Sequence, residues 1–540
     1  MTTMTRGTDT LTRDALTVLQ PGFTGTDAPD WLLRRLGEGL ASVGLFGRNI
    51  TSPEQVAALT ARLRAEHPDV LVAIDEEGGD VTRLEVRGGS SFPGNLALGA
   101  VDDTDLTRAV AGELGRRLAE CGVNLNWAPS ADVNSDPGNP VIGVRSFGAD
   151  PHLVARHTAA YVQGLQSAGV AACTKHFPGH GDTSVDSHHH LPRITADLDT
   201  LQERELPPFR AAIAAGTRAV MSAHILLPAL DGSLPATLSR NVLTGLLRAP
   251  AAEGGLGFDG LIVTDAMEMQ AVAATYGIER GSVLAVAAGA DAICVGGERA
   301  DEDIVLRLRD ALVTAVREGE LPEERLAEAA ARVRALARWT RGAGAAAGTA
   351  PAPAPEAGLN AARRALRVTH RAPAPYVPLT APAYVAVFSP AANIAVGHET
   401  PWGVSAALTD LLPGTTTGRF SAGGSGASGN GAQGNGAEGN GAGNARTGRG
   451  AGADSAPDVM AGEVLRAAGD RRIVAVVRDV HRHSWMADAL AALVDARPDT
   501  IVVEMGVPQA PPTGALHIAT HGAARVCGQA AAEFITAPTP

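Results

Sequence analysis

A glycine, then a short apolar run, then polar or charged residues: this unit recurs along the first half of the chain and leaves little choice of fold. Gly122 precedes Val123-Asn124-Leu125-Asn126-Trp127, and Gly169 precedes Val170-Ala171-Ala172-Cys173-Thr174 and then Lys175-His176. Gly216 comes just before the run 218–224, Gly260 precedes Leu261-Ile262-Val263-Thr264-Asp265, and Gly289 stands shortly before Ala292-Ile293-Cys294-Val295. Val43-Gly44-Leu45-Phe46 and Val70-Leu71-Val72-Ala73-Ile74, which ends at Asp75, add two more runs. Each glycine suits a helix C-cap or a tight turn, and apolar runs of this length between turn residues read as buried strands. Strands alternating with helices imply parallel pairing through crossover helices. Seven such units within about 300 residues match a closed β/α barrel. A doubly wound open sheet competes with it, but needs a Gly-rich phosphate-binding first turn, which is missing.

A barrel of this kind collects its functional residues at the C-terminal strand ends. Asp75, Trp127, Lys175, His176, His224 and Asp265 all stand at such ends. The strand before Lys175-His176 opens into the stretch 175–192, where Pro178, Gly179 and Gly181 bar a helix. That loop carries His176, His180, Asp182, Asp186, His188, His189 and His190, and a loop on a rigid scaffold crowded with titratable groups is where chemistry concentrates. Asp186 lies two residues before His188. A carboxylate there can hold the imidazole's tautomer while the ring trades protons near neutral pH. Asp265 reads either as a salt-bridge partner for Lys175 or Arg145, or as a nucleophile.

The second half is organised differently. Residues 1–341 are expected to form the barrel domain, closed by a helix over 323–339, with 342–358 an Ala/Pro-rich linker. Residues 359–540 are expected to form a smaller α/β domain, with strands at Ala383-Tyr384-Val385-Ala386-Val387-Phe388, Ile473-Val474-Ala475-Val476-Val477 and Thr500-Ile501-Val502-Val503-Glu504. An insert at 421–457 repeats Gly-Asn-Gly-Ala at 429–432, 434–437 and 439–442. It has almost nothing to bury, so it is expected to be disordered. Earlier in the chain, Ser52-Pro53-Glu54-Gln55 reads as a helix start with Ser52 as cap and Gln55 completing a capping box.

A net charge of −13 argues against nucleic acid as a partner, and no apolar run reaches the length of a membrane span. The first residues lack the apolar core of a secretory signal, so a cytoplasmic location is expected. The four cysteines are widely spaced, without a C-x-x-C pair, and read as small buried hydrophobes.

Four motifs then follow in order: Asp75-Glu76-Glu77-Gly78-Gly79 with Arg83, Asn139-Pro140-Val141-Ile142-Gly143-Val144-Arg145-Ser146-Phe147-Gly148, the 175–192 loop, and Ile262-Val263-Thr264-Asp265-Ala266-Met267. Together they resemble glycoside hydrolase family 3, specifically its β-N-acetylglucosaminidase branch. The resemblance implies a (β/α)8 barrel followed by a smaller α/β sandwich domain. It implies retaining cleavage of terminal β-linked N-acetylglucosamine from glycosides such as cell-wall or chitin fragments, in the setting of peptidoglycan recycling. Asp265 would be the nucleophile, and His188, oriented by Asp186, the acid/base. Asp75, Arg83, Arg145, Lys175 and His176 would bind the sugar, with Trp127 and His224 lining the mouth. No metal or other cofactor is expected, and the partner is the amino-sugar glycoside itself. Because an imidazole base does not repel an anionic acceptor, phosphate is an alternative to water. The chain departs from the branch at Asp80, where Arg more often follows the Gly-Gly pair, and at His190.

Other readings stand beside this one. A metal-dependent amidohydrolase barrel would use His176, His180, His188, His189 and His190 toward zinc, although no His-x-His closes an early strand. A β-glucosidase of the same family and a non-catalytic sugar-binding protein are the remaining alternatives.

Overall fold

The computed structural model describes residues 2–183, 191–297, 301–346, 354–371, 376–391, 396, 399–422 and 456–537. Most of the insert at 421–457, including its Gly-Asn-Gly-Ala repeats, lies outside the described residues. The chain divides into two compact units. The first is Met1–Ala365 together with Ala392–Trp402 and His521–Val526; the second is Leu366–Ala391, Gly403–Thr520 and Cys527–Pro540.

Among the described residues of the first unit, eight strands follow one another in the order of the chain. They are β1 (Leu19–Pro21), β2 (Ser42–Leu45), β3 (Leu71–Ile74), β4 (Leu125–Asn126), β5 (Ala171–Phe177), β6 (Ala219–Ser222), β7 (Leu261–Thr264) and β8 (Ile293–Val295). Strands β2 to β7 form one parallel sheet. The ring continues through a bridge from Val263 to Ala292 and through β8 pairing with β1, Leu19 opposite Ile293. This is the β/α barrel that the strand spacing implies. Strand β1 has no counterpart in the sequence reading. It is three residues long and ends in Pro21, too short for a periodic signal.

The strands alternate as a barrel requires. Leu71 and Ala73 of β3, Ala171 and Cys173 of β5, Ala219 and Met221 of β6, and Leu261 and Val263 of β7 fill the interior. Their neighbours Val72, Ala172, Val220 and Ile262 pack outward against the helices. Half of these interior residues are Ala or Cys, which leaves room for a helix side and one large ring. Val333, Leu336 and Ala337 from the helix Glu323–Ala346 pack among them. That helix closes the N-terminal end of the strands: Thr340 accepts from Asn124 Nδ2 at 3.3 Å, and Arg218 stacks on Trp339. Gly44 is small for the same reason, since a Cβ there would lie 2.8 Å from the Trp127 ring. A further helix, Ala357–Ala365, belongs to the same unit.

Ser52 caps the helix Pro53–Glu66 by accepting from Gln55 N at 3.2 Å. The Gln55 side chain returns to Thr51 N at 2.9 Å, one residue before the cap.

The second unit is a six-stranded sheet of β9 (Arg367–His370), β10 (Tyr384–Phe388), β11 (Thr416–Phe420), β12 (Ile473–Val477), β13 (Ile501–Glu504) and β14 (Leu516–Ala519). Its order is β11-β10-β12-β13-β14-β9, parallel except for β9. Of the four fully buried strands, β10, β12 and β13 are the apolar runs legible in the sequence, whereas β14 is interrupted by His517. The edge strands β9 and β11 are largely solvent-facing and carry Arg, Thr, His and Gly, so no apolar pattern marks them. Among the described residues no helix is long and apolar enough to cross a membrane.

Candidate active site

The mouth of the barrel is built from the residues just past each strand. Beyond β3 come Asp75, Glu76 and Glu77; Trp127 follows β4, Lys175 and His176 lie at the end of β5, His224 follows β6 and Asp265 follows β7. Five of the expected sugar-binding residues form one continuous network. Lys175 Nζ lies 2.5 Å from Asp75 Oδ1 and 2.7 Å from Glu77 Oε1. Arg145 grips Glu77 through two parallel bonds, Nη2 to Oε1 at 2.7 Å and Nε to Oε2 at 3.0 Å. Such bidentate pairs fix direction as well as charge. Arg83 Nη2 reaches Asp75 Oδ2 at 3.3 Å, and Arg145 Nη2 lies 3.3 Å from His176 Nε2.

Burial and charge pull these groups in opposite directions. Burial would raise the Glu77 carboxyl, but the Arg145 and Lys175 charges outweigh it and hold the group below the ordinary range. Glu77 is therefore anionic and unsuited to giving up a proton. Burial would lower the Lys175 ammonium; Asp75 and Glu77 raise it instead, so it stays charged. The neighbouring Glu76 shows the opposite outcome. It is buried and accepts the backbone N–H groups of Arg83 and Leu84 through Oε2, at 2.7 and 2.8 Å, and the Thr82 hydroxyl, but no cation faces it, and burial pushes it up to about 7.

Asp75 and Arg83 are the partly open members of the network, with 19% and 14% of their side chains exposed against 2% for Glu77. A polyhydroxyl ligand entering the mouth would meet the Asp75 carboxylate and the cations behind it, a donor and acceptor set suited to sugar hydroxyls. Asp265 shares this mouth. The Cys173 thiol in the barrel interior is pushed up by burial, and feels Lys175, Asp265 and Asp75 together. Asp265 N donates to Ser222 O at 3.2 Å, and Asp265 Oδ1 accepts from Ala266 N at 2.8 Å. His224 supports that turn from below: its Nε2 donates to Ala266 O at 3.0 Å and its Nδ1 meets Thr237 Oγ1 at 2.9 Å. Lys175 pairs with Asp75 and Glu77, and Arg145 pairs with Glu77. Trp127 is buried against Phe46, ring centroids 6.0 Å apart, and forms part of the barrel interior.

Asp186 and His188 lie outside the described residues. What is described is the stem that leads to them, and its main anchor is a residue absent from the sequence reading. Asp132, fully buried past β4, takes His176 Nδ1 at 2.7 Å through Oδ2, and through Oδ1 the N–H groups of His176 and His180, at 3.2 and 2.7 Å. Ser130 Oγ donates to it at 2.8 Å. Burial alone would raise the Asp132 carboxyl; the charge and hydrogen bond of His176 hold it below the usual range. His180 is pushed down to about 4 by burial and by the nearby His176, so its ring is neutral at pH 7. The only linear signal for Asp132 is its place in a small polar run just after a strand. Its partners lie 44 and 48 positions away, where periodicity gives no hint.

Asp80 also acquires a task. Its Oδ1 accepts from Ala523 N at 2.7 Å, within the segment His521–Val526 that belongs to the same unit. An arginine, which has no acceptor, could not take that N–H. Among the described residues no three His, Cys, Asp or Glu side chains converge as metal ligands would.

A model of the glycosyl hydrolase family 3 N-terminal domain matches residues 30–336. The protein named Beta-hexosaminidase A from Pseudoalteromonas piscicida is 37% identical over 318 residues, which is 54% of this chain and 52% of that protein. This chain thus spans about half the length of that relative. The Beta-hexosaminidase of Chromobacterium violaceum is 38% identical over 293 residues, 53% of this chain and 79% of its own. The solved structure of a glycoside hydrolase family 3 beta-N-acetylglucosaminidase from Paenibacillus sp. str. FPU-7 is 32% identical with a TM-score of 0.80, over 98% of this chain and 97% of that one.

Proposed function

The chain belongs to glycoside hydrolase family 3, and from that premise we propose that it is a retaining β-N-acetylglucosaminidase. Its substrates are glycosides with a terminal non-reducing β-linked N-acetylglucosamine, such as cell-wall or chitin fragments. The observation that carries this reading is the Asp75–Lys175–Glu77–Arg145 network at the strand ends, in the same mouth as Asp265. Asp75, Arg83, Arg145, Lys175 and His176 hold the sugar. The Asp265 carboxylate attacks the anomeric carbon while His188, oriented by Asp186, gives its proton to the departing glycosidic oxygen. His188 then takes a proton from water, whose oxygen displaces Asp265 and restores both groups. Phosphate can replace water in the second step, because the neutral imidazole does not repel an anion. A cytoplasmic role in recycling wall fragments belongs to the same reading, which four buried cysteines outside any disulfide suit.

Two variants test the roles. Asp265→Asn should abolish turnover of every aryl β-N-acetylglucosaminide while the protein melts as wild type; near-normal activity would sink the nucleophile assignment. His188→Ala should slow glycosylation by poor leaving groups about 10²–10⁴-fold, yet spare nitrophenyl glycosides, whose leaving group departs without a proton. Running the panel with and without phosphate, and identifying the sugar product, decides the acceptor.

A further inference from the structure

A cavity of about 10 Å³ adjoins the sugar network, for Glu77 and Arg145 line it together with Asp80, Asn95 and Val144. That is room for one group the size of a water molecule. Its walls are tightly set. Gly79 N donates to Phe92 O at 2.9 Å, and a Cβ on Gly79 would stand 2.6 Å from Gly94 Cα, so the Gly78-Gly79 pair lies directly on the Pro93-Gly94 turn. Another side is Gly522, held in place where Asp80 Oδ1 accepts from Ala523 N at 2.7 Å. Asn95 is 2% exposed, and the two ends of its amide are used differently. Nδ2 donates to Arg145 O at 2.7 Å, whereas Oδ1 is buried and meets no hydrogen-bond partner. A buried acceptor without a donor is costly, and native interiors supply one, often as ordered water.

We infer that this cavity binds a single water molecule and that Asn95, fixed through it, is a positioning residue for Arg145. The lining selects the occupant. The Glu77 and Asp80 carboxylates repel an anion, the Arg145 guanidinium repels a cation, and the volume admits nothing larger than water. Water meets the whole set: it gives one hydrogen to Asn95 Oδ1 and the other to a carboxylate, and it can accept from the guanidinium. With both ends of its amide engaged, Asn95 holds the Arg145 main chain while Glu77 holds the guanidinium. An arginine fixed at both ends keeps Glu77, and through it Lys175 and Asp75, at the spacing that a sugar has to find.

This inference rests on Arg145 belonging to the sugar site, and the experiments keep the two apart. A high-resolution crystal structure of the full chain should show one density peak about 2.7–3.2 Å from Asn95 Oδ1; a dry cavity overturns the water site. Crystals grown in rubidium chloride should show no anomalous peak there, and a peak would make the occupant a cation and overturn it as well. Asn95→Leu keeps the volume but removes both polar ends, so KM for aryl β-N-acetylglucosaminides should rise about 3- to 10-fold with kcat little changed. Asn95→Ala leaves space for further water to take over both bonds, and should lose less. A residue that merely packs would give the reverse order, since truncation opens a cavity that leucine fills. That order, or wild-type KM in Asn95→Leu while Arg145→Lys binds poorly, overturns the positioning role. Asn95→Asp keeps the acceptor but sets an oxygen against the Arg145 carbonyl. It should raise KM as Asn95→Leu does while keeping the density peak, and it carries the test where Asn95→Leu does not fold. Arg145→Lys, which cannot grip Glu77 through two parallel bonds, is the control. Unchanged KM in that variant removes Arg145 from the sugar site and the positioning role with it, and the density peak alone then decides the water site.

Discussion

At the foot of the barrel, Asp291 sits fully buried just before β8, between Arg248 Nη2 at 2.6 Å and Arg325 Nη2 at 2.5 Å. At the mouth, Glu77 sits equally buried between Arg145 and Lys175. Composition does not separate the two sites; what differs is where the cations' remaining donors go. Arg248 donates to the Phe258 and Gly260 carbonyls, each at 2.7 Å, and Arg325 to those of Val286 and Ala290, at 3.1 and 2.9 Å. The foot is a closed knot that ties helices to strands. At the mouth Lys175 is shared with the partly exposed Asp75, and Asp75 with Arg83, so the network has an open side. One arrangement spends its bonds on the fold and the other keeps some for a ligand, as expected of the two faces of a barrel.

The comparison can be broken most forcefully at Lys175. Lys175→Met removes a donor from the proposed sugar site, and kcat/KM should fall about 10- to 100-fold. Stability should fall as well, since Glu77 keeps only Arg145 as its charge partner. Wild-type kinetics in a folded Lys175→Met enzyme would place substrate binding elsewhere.

Asp291→Asn is the matching change at the foot. It leaves two mostly buried arginines short of a counter-charge, which should cost about 3–5 kcal/mol of unfolding free energy. Activity at a temperature where the variant is folded should match wild type. A selective loss of kcat measured well below Tm would erase the distinction between the two ends.

The finest test sets Glu76 against Glu77. Glu76 has its folded pKa raised to about 7 from an ordinary 4.5, so its contribution to stability is complete below pH 4.5 and is lost as pH climbs through about 7. Glu77 is depressed, so its contribution is present above pH 4.5 and is lost on acidification. Glu76→Gln should therefore flatten the fall in stability between pH 5 and pH 8, by about 3 kcal/mol at most. Denaturant unfolding at several pH values reads this directly, and an unchanged pH slope would show that Glu76 titrates normally.

The repeating glycine and apolar run by itself determined the barrel: seven of its eight strands, their parallel sense, and the strand ends where Asp75, Lys175, His176, His224 and Asp265 stand. Those are local matters, because a run of four or five apolar residues between turn residues can be satisfied only by burial on both faces. In the second unit the same logic reached three central strands; the edge strands need not be apolar, and the buried β14, Leu516-His517-Ile518-Ala519, is short and interrupted by His517. Tertiary structure alone decided which charges meet. Glu77 lies 68 positions from Arg145, and Asp132 lies 44 from His176. Adjacent glutamates, 76 and 77, end up with opposite tendencies because only one of them faces cations. Pairings between strand ends depend on how the ring closes and how deeply each carboxylate is buried, and neither is written in any window of neighbouring residues.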